Sequence, residues 1–229
     1  MASYHIRKYR EPDHEQIVGL YSKSILEHAP TTFHHLLKLP RTLVLLLGGP
    51  LSVLLLSGSW PLTVLAFLLL LTALKYFAKK PWSQYIVMSL NTDMSDISKY
   101  YFSERGSCFW VAESEGQVVG MVGALPVKEP ALRRVHLELL HMCVDLGHRG
   151  QGIAKALVKT VLQFGQDEGY RAIVLSTTSM QHSALALYQG LGFQKTGELY
   201  YSLIWRLAEI TFINFIYQFP AAQVSQGPK

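Results

Sequence analysis

Gly150-Gln151-Gly152 is a glycine-bearing turn with Arg149 before it and Lys155 just after. An apolar run, Leu137–Asp145, leads into the turn, and a stretch with helical apolar spacing, Gly152–Gly169, leads out. A strand end feeding a helix start leaves backbone N–H groups unpaired, and the helix dipole adds about half a positive charge there. Glycines let an anion approach that backbone closely. The chemistry this suits is a cradle for a pyrophosphate, with Arg149 and Lys155 adding full charges; an ordinary turn would use the same two glycines. The spacing is neither GxGxxG nor GxxxxGK[ST], which sets aside dinucleotide-binding and P-loop folds.

Other site chemistries find little support. The 229 residues include two cysteines, Cys108 and Cys143, with no CxxC pair and no His/Cys cluster at metal-ligand spacing. A disulfide framework and a metal centre are therefore not expected. The formal net charge of +5 suits a polyanionic ligand or an anionic membrane face. The amino-terminal stretch MASYHIRKYREPD is polar and lacks the apolar core of a signal peptide.

The elements that must position the turn follow from periodicity. Tyr4–Arg10 alternates like a strand, and a helix follows from Pro12 or Asp13 with apolar residues at Ile17, Leu20, Tyr21 and Ile25. Residues 83–104 read as helix. Cys108–Ser114 and Gln117–Val127 read as strands joined by a turn at Glu115-Gly116. Strands at Leu137–Asp145 and Arg171–Thr178 and helices at Gly152–Gly169 and Gln181–Gly192 come next. GELYYSLIW and Ile210–Phe219 read as closing strands, and the last residues, AAQVSQGPK, as a loose tail. The order predicts an α+β fold with a mixed sheet.

One segment belongs to a different solvent. Thr42–Leu74 carries no charge. As one helix it would be about 50 Å long, against a hydrocarbon core of about 30 Å. SGSWP, Ser57–Pro61, breaks it into arms near 42–57 and 62–77, each about 24 Å long. Ten of the residues 43–56 are Leu or Val, so no polar face remains for water. Lys38 and Arg41 stand before the first arm, and Lys75, Lys79 and Lys80 close the second. The charge pattern predicts a membrane-embedded hairpin with both ends cytosolic; a full span and a re-entrant wedge both fit.

Arg149-Gly150-Gln151-Gly152-Ile153-Ala154 resembles the R/Q-x-x-G-x-G/A signature of the GCN5-related N-acetyltransferase superfamily. Some thirty residues on, ALALYQGLGF resembles that superfamily's second motif. The hairpin, with HLLKLPRTL, LLSGSW, AKKPW and TDMSDI, narrows the resemblance to the camello-like N-acetyltransferases, over nearly the whole chain. The best-known member of that group acetylates cysteine S-conjugates. The resemblance divides the chain into a first strand and helix (1–35), the membrane hairpin (36–81), the acetyl-CoA-binding part (82–220) and the tail (221–229).

It also implies acetyl-CoA as co-substrate. The pyrophosphate would lie on Gly150, Gln151, Gly152, Ile153, Ala154 and Lys155, beside Arg149. The pantetheine arm would lie along Met142, Cys143 and Val144, with an N–H near Val144 polarising the thioester carbonyl. Tyr188 matches the usual proton donor to the departing thiolate, although a core tyrosine would look the same. The superfamily's frequent Asn is Gln181 here, and the position where some relatives carry a Glu is Ser176, which cannot act as base. Glu138 and His141 are the candidate bases, with a water chain as a third route. Strand alternation would put residues 138, 140 and 142 on one face and 139, 141 and 143 on the other, leaving at most one of the two in the cleft. Cys143 as an acetyl-accepting nucleophile is discounted, because a cysteine on a central strand is commonly a small buried hydrophobe. The expected function is membrane-bound N-acetylation of a primary amine, most simply the α-amine of a cysteine S-conjugate, at the endoplasmic reticulum. Lysines of membrane proteins are alternative acceptors, and a scaffold without activity is a further alternative. No nucleic-acid partner is expected.

Overall fold

The computed structural model describes residues 4–103 and 105–220; the tail 221–229 lies outside them. One seven-stranded sheet has the order β1-β2-β3-β4-β5-β7-β6. Its strands are β1 Tyr4–Lys8, β2 Cys108–Ser114, β3 Gln117–Pro126, β4 His136–Val144, β5 Ala172–Thr178, β6 Gln194–Leu199 and β7 Phe212–Gln218. β4 and β5 pair in parallel, and the other neighbours are antiparallel. The expected mixed sheet is therefore present.

A helix covers each face. α1, His14–Leu26, buries Ile17, Leu20, Tyr21 and Ile25, spaced three and four apart, against one face. α6, Ile153–Asp167, buries Ile153, Leu157, Val158 and Val161 on the other. Burial of each such side chain contributes about 1.5–3 kcal/mol, so these two stripes fix where the glycine turn and β4 must sit.

Between β1 and β2 come α2 His28–Lys38, α3 Pro40–Ser57, α4 Trp60–Leu90 and α5 Ile97–Phe102. α3 and α4 form the hairpin, breaking at Gly58-Ser59 as the sequence indicates. They expose their leucines, with Leu55 at 77% and Leu56 at 89% of full exposure. α4 differs from the expected arm. It runs on past residue 77, through Pro81, to Leu90. Pro81 removes one helical hydrogen bond, but Ala78, Trp82 and Ile86 on the same stretch are buried in the α1-side core, and that burial outweighs the loss. The helix expected over 83–104 is thus the end of α4, a turn at 91–95 and the separate α5, capped by the Asp96 carboxylate accepting from Lys99 N–H at 2.8 Å.

The closing segment also differs. β6 stops at Leu199, and Leu203–Leu207 forms a helical turn, α8. That turn carries Trp205 into the core edge-on to Trp82 and Phe212, at 5.3 and 5.2 Å between ring centroids. A continued strand would have placed it by alternation instead.

Candidate active site

Two departures from regular sheet geometry make the site. The parallel pairing of β4 with β5 ends at Glu138 opposite Val174. β4 nevertheless continues to Val144 and β5 to Thr178, so the sheet splays open between them. A cavity of about 610 Å³ opens there, reaching Glu138, His141, Met142, Cys143, Ser176, Gln181 and Tyr188. A second concavity, about 690 Å³, lies between α2 and α4 and touches none of these residues.

The other departure is a bulge in β4. Met121 faces Cys143 and Gly123 faces Leu140, so His141 and Met142 together oppose Val122. His141 takes up the extra length at φ +52°, a left-handed conformation costly for a side-chain-bearing residue. The bulge reverses the alternation of the strand. Leu139 and Val144 both pack on the α6 side, while Cys143 joins the α1-side core. The expectation that at most one of Glu138 and His141 faces the cleft is therefore wrong. Both line the cavity, because an unbroken period of two does not pass through a bulge.

His141 is held in place from several elements. Its ring meets Tyr21 of α1 edge-on at 5.2 Å. Its Nε2 lies 2.6 Å from Asp93 Oδ2, in the turn after α4. Tyr101 of α5 donates to the same Asp93 oxygen. Burial favours the protonated carboxyl of Asp93, but the bonds and charge of His141 and the bonds from Tyr101 and Thr92 outweigh it and hold the group near pKa 2. Asp93 is thus ionised and can only accept, so Nε2 carries the proton. The other ring nitrogen, Nδ1, is buried and has no hydrogen-bond partner among the described residues. Glu138 moves the other way, its pKa raised mainly by burial.

Asp145 N–H donates to Val119 O on β3 at 2.8 Å. Successive N–H groups of a strand point to opposite edges, so that of Val144 turns to the edge β5 has left. The Val144 carbonyl accepts from Arg149 Nε at 3.1 Å, and the same guanidinium bonds to Glu27. Arg149 is thus anchored at the strand end and braces the corner. Gly150 and Gly152 sit at φ +77° and +83°, where L residues are strained, and Gly152 forms the N-cap of α6. Nothing lies within 4 Å of where a Gly150 Cβ would stand, so the backbone there is open. Gln151 and Lys155 are exposed beside it, and Ile153 and Ala154 pack inward on the α6 side.

Across the gap, Tyr188 of α7, His182–Gly190, is buried with its ring 5.6 Å from Phe193 and 6.3 Å from Phe215. Its hydroxyl makes no hydrogen bond among the described residues, and burial raises its pKa. Gln181 is engaged locally. Its carbonyl oxygen accepts from Thr177 Oγ1 at 2.7 Å and Thr178 N at 3.0 Å, and its amide nitrogen lies 3.1 Å from His28 Nε2. Cys143 is buried and its pKa is pushed up to about 12, which disfavours a thiolate nucleophile. Beyond β4 the cavity wall is aromatic: Trp82 and Tyr85 of α4, then Tyr201, Trp205 and Phe212.

Sequence reasoning missed Asp93, Tyr101, Tyr21 and His28. Asp93 lies forty-eight positions from His141, and no local period couples them. The one available signal was an acid within TDMSDI, among the residues that carried the resemblance.

Residues 73–193 match the profile of the Acetyltransferase (GNAT) family. Human N-acetyltransferase 8B is 58% identical over 226 residues, covering 99% of this chain and all of that protein. The chain belongs to the GNAT family. Human N-acetyltransferase 8 is also 58% identical, over 98% of this chain and 99% of its own. An N-acetyltransferase from Staphylococcus aureus Mu50 shares the fold, with TM-score 0.55 at 14% identity over 95% of this chain and 99% of that one. A Salmonella typhimurium structure with its cofactor acetyl-CoA does likewise, with TM-score 0.53 at 13% identity over 98% and 99%. This GNAT chain is an acetyl-CoA-dependent N-acetyltransferase whose fold carries an inserted apolar hairpin. The splayed strands, open glycine corner and unpartnered Tyr188 hydroxyl fit that co-substrate.

Proposed function

We propose that this enzyme works on a membrane face and acetylates the α-amine of S-substituted cysteines. The observation that carries the proposal is the construction of the acceptor end of the cavity. Its wall includes Trp82 and Tyr85, from the same helix that forms the second apolar arm. An amphiphilic amine with an apolar sulfur substituent suits such a wall, and so does delivery from lipid.

Acetyl-CoA supplies the activated acetyl group and a thiolate leaving group. The N–H groups from Gly150 to Lys155 and the Lys155 ammonium hold the diphosphate. The Val144 N–H stabilises the charge that develops on the carbonyl oxygen. Glu138 and His141 flank the position of the incoming amine, and His141 takes its proton. Tyr188 donates to the leaving sulfur; its raised pKa keeps it protonated for that task. Direct transfer needs no nucleophile from the protein, in keeping with the inert Cys143.

The hairpin, within 36–81, is the membrane anchor in this reading. β1 before it and β2 after it pair in one sheet, so both its ends lie on one side of any bilayer. The cationic flanks support the cytosol as that side, and the endoplasmic reticulum is the membrane this reading proposes. The test is acetyl-CoA turnover in detergent with S-benzylcysteine, lysine, aspartate and a lysine peptide. Preference for S-benzylcysteine supports the proposal. Preference for the lysine peptide would replace it with a protein lysine acetyltransferase.

A further inference from the structure

We infer that Asp93 is the positioning residue for the catalytic base, selecting the tautomer of His141 that leaves Nδ1 free to take the proton of the acceptor amine. This rests on the proposed role of His141 and goes beyond it. Three observations converge. The Asp93 carboxylate bonds His141 Nε2 at 2.6 Å and is itself fixed by Tyr101 and by Thr92 Oγ1, the latter at 3.2 Å. The His141 side chain is 5% exposed, yet its Nδ1 has no partner among the described residues. An unsatisfied buried nitrogen is costly and rare in a folded protein. The backbone at His141 is held at φ +52°, and such strain persists where the surroundings over-determine it, often at functional sites.

In the transfer step the amine nitrogen bonds the acetyl carbon as the carbon–sulfur bond breaks. The amine proton passes to Nδ1, directly or through one water, and Tyr188 gives a proton to the thiolate. His141 becomes an imidazolium facing the Asp93 carboxylate, which stabilises it and stays ionised. Asp93 lies in the turn that ends α4, so the helix that forms the second apolar arm also carries the residue that aims the base.

The test uses the full chain in detergent, with acetyl-CoA and whichever of S-benzylcysteine or the lysine peptide the wild type prefers. Asp93→Asn should lower kcat about ten- to a hundredfold with the KM for acetyl-CoA unchanged, a share of the 10²–10⁴-fold typical of a general base. In a His141→Ala background the same change should lower kcat no further. Nitrogen NMR of histidine-labelled wild type should show neutral His141 as the Nε2–H tautomer; this reading needs no variant to fold. An Nδ1–H tautomer, full activity in Asp93→Asn, or an equal loss in both backgrounds would overturn the inference. Full activity in His141→Ala alone would instead overturn the assignment of the base.

Discussion

At the scale of single residues, the proposed roles divide into groups that react and groups that hold. Tyr188 offers the cleanest separation. Its ring packs on Phe193 and Phe215 while its hydroxyl bonds nothing among the described residues. Tyr188→Phe should therefore keep the melting temperature and CoA affinity, yet lose about 10²-fold or more in kcat. Thermal melts and calorimetry beside the turnover assay check each part. Asp93 gives a pH signature. Its folded pKa of about 2 lies below the ordinary 3.8, so its stabilising contribution is complete above pH 3.8 and is lost as pH falls towards 2. Urea midpoints measured across that window should fall less steeply for Asp93→Asn than for wild type.

At the scale of elements, the bulge in β4 and the end of its pairing with β5 create the site, and close packing around α5 preserves it. A Cβ on Gly123 would sit 2.7 Å from a ring carbon of Tyr101 and 2.9 Å from its hydroxyl. Gly123→Ala must displace Tyr101, and with it the clamp on Asp93. The expected cost is about 1–3 kcal/mol of stability together with reduced turnover, read from denaturant melts and initial rates. Most strands and helices were legible in the sequence, because Ile17, Leu20 and Tyr21 or Leu157, Val158 and Val161 declare a face by their spacing. The bulge was not. It shifts the register by one residue, and nothing in HLELLHMCV marks where, so the side of the sheet on which His141 lies is set by tertiary packing and not by the local pattern. The extension of α4 through Pro81 was hidden for the opposite reason: a local helix breaker is overruled by the distant burial of Trp82 against Trp205.

At the scale of the whole molecule, the hairpin and the catalytic fold share a helix. Arg41 bonds the Leu207 carbonyl and pairs with Glu209 at 3.3 Å, so the base of the hairpin is also tied to α8 beside the aromatic wall of the cavity. If the hairpin is the proposed membrane anchor, the wild type sediments with microsomes after carbonate washing, and replacing the exposed apolar residues Leu47, Leu55 and Leu68 with lysine should release it into the soluble fraction. The proposed chemistry depends above all on the grip of the corner at residues 150–155 on the coenzyme. Titration calorimetry of CoA into the wild type and into Gly152→Val tests it most directly. Binding to the wild type, with at least a tenfold weaker Kd for the variant, is the predicted result, since valine at φ +83° deforms the N-cap of α6. A wild type that does not bind CoA, or a variant that binds it equally well, would contradict the account.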